Sequence, residues 1–148
     1  MTNNFKQGIF KPINPHKYKG NPTNIIYRSS WEKRFFNWVD QNSAVISWSS
    51  EEFFIPYICG TDNKCHRYFV DIRMSIRDQT GNLNEYLVEI KPLAQTKQPK
   101  FPGKNTKRYL HEVENYIKNQ SKWKAAKEYA EQRGMKFLLI TEKELGIK

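Results

Sequence analysis

Residues 67–93 read RYFVDIRMSIRDQTGNLNEYLVEIKPL. Two apolar-rich runs, 68–76 and 85–90, flank a polar segment that contains Gly81. This pattern predicts two paired strands joined by a short loop.

The side chains of a strand alternate between its two faces, so residues two apart share a face. In the first run, one face is expected to carry Val70, Ile72 and Met74, and the other Phe69, Asp71 and Arg73. In the second run, the two faces are expected to carry Tyr86, Val88 and Ile90 against Leu87, Glu89 and Lys91. Strands gain little from charges at such positions. The charged residues therefore indicate a chemical role.

The charged residues of both runs resemble the P-D-(D/E)-x-K nuclease motif, here Val70-Asp71 followed by Glu89-Ile90-Lys91. Two carboxylates on adjacent strands provide hard oxygen ligands for Mg²⁺. The metal lowers the pKa of a bound water and stabilises charge at phosphorus, while Lys91 can orient the water. Val70 replaces the motif's proline, which supplies no ligand. The alternative is an amphipathic edge strand that contains Glu-x-Lys by chance.

The length of 148 residues predicts one domain with a sizeable core. Lys and Arg total 25 against 15 Asp and Glu, a net charge of +10. This excess favours nucleic acid as the partner over a merely solvated basic surface. With no membrane-length apolar run and no apolar signal core, we expect a cytoplasmic protein with no membrane partner and no small-molecule cofactor.

Cys59 and Cys65 flank a predicted turn, and His66 follows directly. Three ligands fall short of the usual four-ligand zinc site, and completion by His16 is the weaker alternative. We expect two reduced thiols, as is usual in a cytosolic protein.

Residues 1–26 are predicted to form an extended basic N-terminal arm. This segment has no acidic residue, and its prolines argue against a helix or a central strand. Lys17 and Lys19 are candidate DNA contacts. Packing on the body or on a partner is expected because the segment contains Phe5, Ile9, Phe10, Ile13 and Tyr18.

A first helix is predicted from Ser29 or Ser30 to about Gln41, and either serine can cap it. Glu32, in its first turn, either complements the helix dipole or supplies a third acid to the metal site. Arg28 either holds a phosphate or pairs with a surface acid. The apolar stripe of the helix is expected to consist of Trp31, Phe35, Trp38 and Val39. Two strands, 45–48 and 53–59, are predicted to follow.

Residues 92–108 are predicted to form a long basic loop, because prolines and a glycine interrupt the segment and no acid is present. Such a loop is suited to phosphate contacts or to ordering on DNA. Its candidate DNA-binding residues are Gln95, Lys97, Lys100, Lys104, Lys107 and Arg108.

Two helices, 106–119 and 121–133, are predicted next, with Gly134 ending the second. A short strand, 136–141, and a helical turn, 142–145, follow. A helix and then a strand after a meander indicate a crossover that adds a strand to the sheet. The buried stripe of the second helix is expected to be Trp123, Ala126, Tyr129 and Ala130.

Taken whole, the chain resembles the head-completion nuclease family of T-even-type tailed phages, and its core is similar to the endonuclease subunit of heteromeric transposases. The resemblance rests on Phe10-Lys11-Pro12, Asn14-Pro15, Lys17-Tyr18-Lys19-Gly20, Tyr27-Arg28-Ser29-Ser30-Trp31-Glu32, Ile55-Pro56-Tyr57, Glu89-Ile90-Lys91-Pro92 with Gln95, Lys122-Trp123 with Ala125-Ala126, and Thr141-Glu142.

The resemblance implies an α/β fold with a restriction-endonuclease-like core, in which helices flank a mixed central sheet. Residues 27–148 are then a single nuclease domain that follows the arm. Asp71 and Glu89 are expected to hold Mg²⁺, for which Mn²⁺ can substitute, while Glu32 supports it or binds a second ion. Lys91 completes the catalytic set.

The implied function is DNA endonuclease activity in phage head completion, which processes or caps the packaged DNA end before neck and tail join. Double-stranded DNA and phage portal or neck proteins are the expected partners. The expected location is the host cytoplasm during assembly and the virion head or neck afterwards. Two alternatives are a non-catalytic plug that binds DNA and portal, and a junction or repair nuclease of the same fold.

Overall fold

The computed structural model describes residues 7–147, so Phe5, which was expected to pack on the body, lies outside the described residues. The strands are β1 (Gly8–Phe10), β2 (Ile25–Tyr27), β3 (Val45–Ser50), β4 (Phe54–Ile58), β5 (Cys65–Phe69), β6 (Ile72–Arg77), β7 (Leu83–Ile90) and β8 (Lys136–Ile140). The α-helices are α1 (Ser30–Gln41), α2 (Lys107–Gln132) and α3 (Glu142–Leu145), and two 3-10 helices cover Pro15–Lys17 and Leu93–Thr96.

The central sheet has four strands in the order β3-β6-β7-β8. β6 runs antiparallel to β3 and β7, whereas β8 lies parallel to β7. The chain reaches β8 through α2, as the predicted crossover required. The sheet is therefore mixed, and helices pack on it, as expected. No helix within residues 7–147 is long and apolar enough to cross a membrane.

Two apolar cores lie on the two faces of this sheet. Val88 and Ile90 belong to the core that contains the α1 residues Phe35 and Phe36, and Tyr86 packs against it. Leu87 belongs to the other core, which contains residues of α2 and of the β4–β5 hairpin. The predicted alternation along 85–90 is therefore confirmed.

The prediction of one continuous strand over 68–76 is wrong, because two strands, β5 and β6, cover this run. The chain leaves the β4–β5 hairpin after β5 and enters the central sheet at β6, with a bend at Asp71. Val70 consequently packs in the core on the α2 side, whereas Ile72 and Met74 pack on the α1 side. All three are buried. Because burial alternates without interruption through the bend, the sequence pattern resembles a single strand.

The two helices predicted over 106–133 are one continuous helix, α2. The polar stretch around Asn119 does not end it, because no glycine or proline interrupts the segment. The Ser121 hydroxyl donates to the Ile117 carbonyl, and Asn119 is buried. Gly134, at φ +69°, follows the end of the helix as predicted.

Helix α1 has nearly the bounds that were predicted. Ser29 is its N-cap, and the Ser29 side chain accepts a hydrogen bond from the Glu32 N–H. The predicted stripe is wrong at Trp38, which is 47% exposed, while Phe36 is fully buried. The buried face is centred on Phe36 because this ring packs against Trp48, with ring centroids 5.1 Å apart.

The N-terminal segment packs on the body through Phe10 and Tyr18, as predicted, but the prediction is wrong for Ile9 and Ile13, which are exposed. β1 and β2 form a two-stranded antiparallel sheet, and Phe10, Tyr18 and Ile25 enter the α1-side core. β2 spans the boundary that was predicted between residues 26 and 27.

Candidate active site

Asp71 lies at the bend between β5 and β6. One of its carboxylate oxygens, Oδ2, accepts a hydrogen bond from the Ile90 N–H at 2.9 Å. Ile72 pairs with Val88, so residue 70 would stand opposite Ile90 if the ladder continued. Because the chain turns away there, the Asp71 carboxylate takes the place of a strand partner at the end of β7.

Glu89 projects from β7 and is only 5% exposed. Its Oε1 accepts a hydrogen bond from the Tyr68 hydroxyl at 2.7 Å. Its Oε2 lies 3.7 Å from the Lys91 ammonium, as expected for residues two apart on one face. Each oxygen of this buried carboxylate therefore has a polar neighbour.

Glu32 is the third acid, and the first turn of α1 presents it. Its Oε1 accepts a hydrogen bond from the Arg28 N–H at 3.1 Å, so it also helps to cap the helix. Burial raises the pKa of Glu32, and the charge of Glu89 adds to this effect. The dipole-related role and the role as a third acid are thus compatible in one geometry.

Repulsion among the acids is greatest at Asp71. Burial raises the pKa of Asp71 well above its usual value, and the negative charges of Glu89 and Glu32 raise it further. A divalent cation between such carboxylates would relieve this repulsion, because an opposite charge favours the ionised form. Oxygen ligands of this kind suit Mg²⁺ or Mn²⁺.

A cleft of about 440 Å³ opens beside Glu32, and Ile90, whose N–H donates to Asp71, also lines it. Glu32, Lys91 and Gln95 line it, and Gln95 is exposed on the 3-10 helix that follows β7. Arg28 also lines the cleft and forms an ion pair with Glu51. Both roles considered for Arg28 therefore remain compatible with its position.

The basic residues predicted to contact DNA are mostly exposed. The basic side chains of residues 97–108, the segment that follows the cleft-lining residues, are exposed, and Arg108 forms an ion pair with Glu112 at 3.4 Å. Lys19 is exposed beside a different cleft, which Arg73 also lines. The exposed cations of the segment after the cleft are Lys97, Lys100, Lys104, Lys107 and Arg108.

Lys17 is a correction to the predicted DNA surface. It is buried at 8% exposure, and its ammonium donates to the carbonyls of Val39, Asp40 and Asn42 at 2.7–2.9 Å. All three hydrogen bonds of the ammonium go to carbonyls at the C-terminal end of α1, where the helix dipole favours a cation. Lys17 is therefore a structural residue.

A second group of possible metal ligands lies in the β4–β5 hairpin, in the turn and at the start of β5. The ligand atoms of Cys59, Asp62 and His66 lie within 4.8 Å of one another. This set suits a transition metal rather than Mg²⁺. It differs from the zinc alternative considered above, which included Cys65. Both cysteines are free, with Cys59 buried and Cys65 exposed.

Two residues near the acids were not assigned a site role from the sequence. Tyr68 contacts Glu89 directly, and the ammonium of Lys122, on α2, lies 5.6 Å from the centre of the Tyr68 ring. The available signals were the position of Tyr68 three residues before Asp71 and the lysine beside the buried Trp123.

The chain is similar in sequence to known nucleases. The family model described as TnsA-like endonuclease N terminal matches residues 42–142, a range that includes Asp71, Glu89 and Lys91. This chain belongs to the TnsA-like endonuclease family. The head completion nuclease of Enterobacteria phage T4 is 44% identical to it over 148 residues, covering 95% of this chain and 96% of that protein.

Membership in the TnsA-like endonuclease family confirms the predicted nuclease activity and the restriction-endonuclease-like fold. Endonucleases of this family act on DNA and generally use a divalent metal. The matched range begins after α1, so Glu32 and Arg28 lie outside it, within the region aligned to the phage nuclease.

Proposed function

We propose that this chain is a Mg²⁺-dependent DNA endonuclease of phage head completion, in which Mn²⁺ can replace Mg²⁺. The observation that carries the proposal is the proximity of Asp71, Glu89, Glu32 and Lys91, of which Glu32 and Lys91 line an open cleft. Three acids and one lysine form an arrangement suited to phosphodiester hydrolysis.

Asp71 and Glu89 would hold the metal, with Glu32 supporting the same ion or a second one. The bound metal would supply Lewis acidity and a water of lowered pKa. Lys91 lies beside Glu89, where its ammonium can orient the attacking water and offset negative charge on the phosphate. The Asp71–Ile90 hydrogen bond keeps the first acid in register with the strand that carries the second.

DNA binding is assigned to the exposed cations of residues 97–108, together with Lys19, Gln95 and Arg28. These contacts would reach the phosphate backbone and not the bases, because a lysine ammonium binds phosphate as a point charge without reading base edges. Lys97, Lys100 and Lys104 lie between the second 3-10 helix and α2, whereas Lys107 and Arg108 belong to the first turn of α2 and not to the predicted loop. The net charge of +10 supports such binding. The expected substrate is therefore double-stranded DNA, bound without marked sequence preference.

The assembly role is proposed from the similarity to the head completion nuclease of phage T4. The chain would process or cap the packaged DNA end, so that neck and tail can join the head. Portal or neck proteins would be its protein partners. It would act in the host cytoplasm during assembly and remain in the virion head or neck if retained.

The deciding experiment is a nicking assay on supercoiled plasmid in Mg²⁺, Mn²⁺ or EDTA. We expect metal-dependent nicking by the wild type and its loss in Asp71→Asn and Lys91→Ala, with DNA binding preserved. Glu114→Gln and Lys143→Ala are matched controls, since both residues are exposed and lie outside the lining of the cleft. Nicking that persists in both site variants would place the chemistry elsewhere.

Two further outcomes would redirect the proposal. Tight DNA binding without nicking under any metal condition would favour the non-catalytic plug that binds DNA and portal. Cleavage of four-way junctions much faster than of linear duplex would favour a junction or repair nuclease.

A further inference from the structure

Tyr68 joins the β4–β5 hairpin to the acid cluster. The residue is 2% exposed, and its hydroxyl donates to Glu89 Oε1 at 2.7 Å. Tyr68 belongs to β5, which is outside the central sheet, whereas Glu89 belongs to β7 within it. This hydrogen bond therefore sets the position of one carboxylate from a separate structural element.

Lys122 approaches the same cluster from helix α2. Its ammonium lies 5.6 Å from the centre of the Tyr68 ring, within the range of a cation–π contact. The neighbouring Trp123 is buried at 4% exposure, so the backbone that carries Lys122 is fixed against the α2-side core.

Burial and nearby charges shift the pKa of Lys122, some lowering it and some raising it. Burial lowers the pKa of Lys122, and the negative charge of Glu89 partly opposes this effect. The cations Lys91 and Lys118 lower it further, while Asp71 raises it. The charges of Glu89 and Asp71 therefore both act on Lys122, although Lys122 belongs to a different element from either.

We propose that Tyr68 and Lys122 form a positioning pair of the active site. Tyr68 orients Glu89, and Lys122 supplies a second positive charge, besides that of Lys91, near Asp71 and Glu89. The inference rests on the proposed function of Glu89 as a metal ligand. Lys91 balances one charge of the acids from the β7 end, and Lys122 balances another from the α2 side. Metal affinity is then set by competition between the ion and these two lysines.

The opposing effects of Lys122 on metal binding and on catalysis provide the test. Replacement by methionine keeps the apolar stem but removes the charge that competes with the metal. We expect Lys122→Met to bind Mn²⁺ about threefold or more tightly, because a cation near the carboxylate ligands opposes the binding of a second cation. We also expect its nicking rate to fall about tenfold or more, as when a positioned charge is lost from a site.

The experiment measures Mn²⁺ binding by electron paramagnetic resonance of the free ion, and nicking rates on the same samples. Lys122→Arg should restore both values towards wild type, because arginine also stacks on aromatic rings. Tyr68→Phe should weaken Mn²⁺ binding, since Glu89 loses its hydrogen bond while the ring remains. Lys127→Met, on an exposed position five residues later in α2, is the matched control and should leave both unchanged, because Lys127 is not among the charges that act on Lys122.

Several results would overturn the pair. One is a Lys122→Met variant with wild-type Mn²⁺ affinity and wild-type nicking. Another is a loss of nicking that merely follows the unfolded fraction, measured by circular dichroism. Should Lys122→Met fail to fold, Lys122→Gln and Tyr68→Phe test the same contacts. Mn²⁺ binding is read independently of cleavage, so a wild type that binds metal but does not nick contradicts the proposed function and leaves the pair testable.

Discussion

Asp71 and Ile90 are joined by a hydrogen bond between a side-chain carboxylate and a backbone amide, at 2.9 Å. The bond lies where β6 begins and β7 ends, so a single contact both completes the sheet and orients an acid. Only one carboxylate oxygen is used for it, which leaves the other available to a ligand. This arrangement places the Asp71 carboxylate in a buried position close to the like charges of Glu89 and Glu32, which disfavours its ionised form.

Asp71→Asn should stabilise the metal-free protein at neutral pH. Burial and the neighbouring acids raise the pKa of Asp71 in the folded state above the ordinary pKa that it has in the unfolded chain. Below the ordinary pKa, Asp71 is protonated in both states. Above it, only the unfolded state releases the proton readily, so stability from this group falls as pH rises towards the higher folded pKa. The asparagine amide oxygen can still accept from Ile90.

Thermal melts in EDTA should therefore show a higher Tm for Asp71→Asn than for wild type at pH 8. A gain on the order of 1 kcal/mol corresponds to about 3 °C for a domain of this size. The difference should shrink near pH 4. A variant that melts below wild type at both pH values would show that the carboxylate contributes net stability.

Mg²⁺ should raise the Tm of the wild type and leave that of Asp71→Asn nearly unchanged. A ligand at ten times its Kd stabilises the folded state by about 1.4 kcal/mol, or roughly 4 °C here. His66→Ala should retain the full shift, because the Cys59–Asp62–His66 group does not suit Mg²⁺. Loss of the shift in His66→Ala instead would move the Mg²⁺ site to the hairpin.

Lys17→Met should destabilise the fold without weakening DNA binding by the folded protein. It would remove one hydrogen bond from each of three carbonyls at the end of α1. The Asp40 and Asn42 carbonyls would keep Asn14 and Val45 as donors, whereas the Val39 carbonyl would lose its donor, at a cost of about 1–3 kcal/mol. Urea denaturation measures this loss. Lys19→Met is the control and should show the reverse pattern, with near wild-type stability and weaker DNA binding. Equal stability of the two variants would contradict the assignment of Lys17.

Removing three loop cations should reduce the salt dependence of DNA binding. Each phosphate contact contributes about 0.9 to the slope of log K against log salt, so Lys97, Lys100 and Lys104 changed to Gln should lower it by up to about 2.7. Fluorescence anisotropy across a salt series measures this slope. Lys124, Lys127 and Lys136 changed to Gln remove the same charge from other exposed positions. A matching decrease in that control would indicate a net-charge effect alone.

Much of the candidate site followed from local pattern. Lys91 follows Glu89 by two residues at the end of β7, so the alternation of side chains along an extended backbone places the two on the same face. The helix that carries Glu32 was predicted because Ser29 or Ser30 could cap it, and the structure places the cap at Ser29. In both cases residues close in the chain determine the geometry.

Other features depended on partners distant in the chain. The bend that separates β5 from β6 leaves the apolar alternation intact, because each residue simply finds a core on the opposite face. The burial of Lys17 could not be predicted from the sequence for a similar reason. A lysine in a basic, proline-rich segment looks like a solvent-exposed cation until α1 presents three carbonyls to it.

The sequence by itself determined the residue chemistry of this protein: acids and a lysine at strand spacing, a capped helix with a third acid, and a basic excess. These depend on local periodicity and composition, which a chain carries without its fold. Tertiary structure alone decided that Tyr68 donates to Glu89 and that Lys122 lies over the Tyr68 ring. It also decided that Lys17 is buried and that Asp71 lies at a strand end. Each results from contacts between elements far apart in sequence, since packing and burial are properties of the assembled domain.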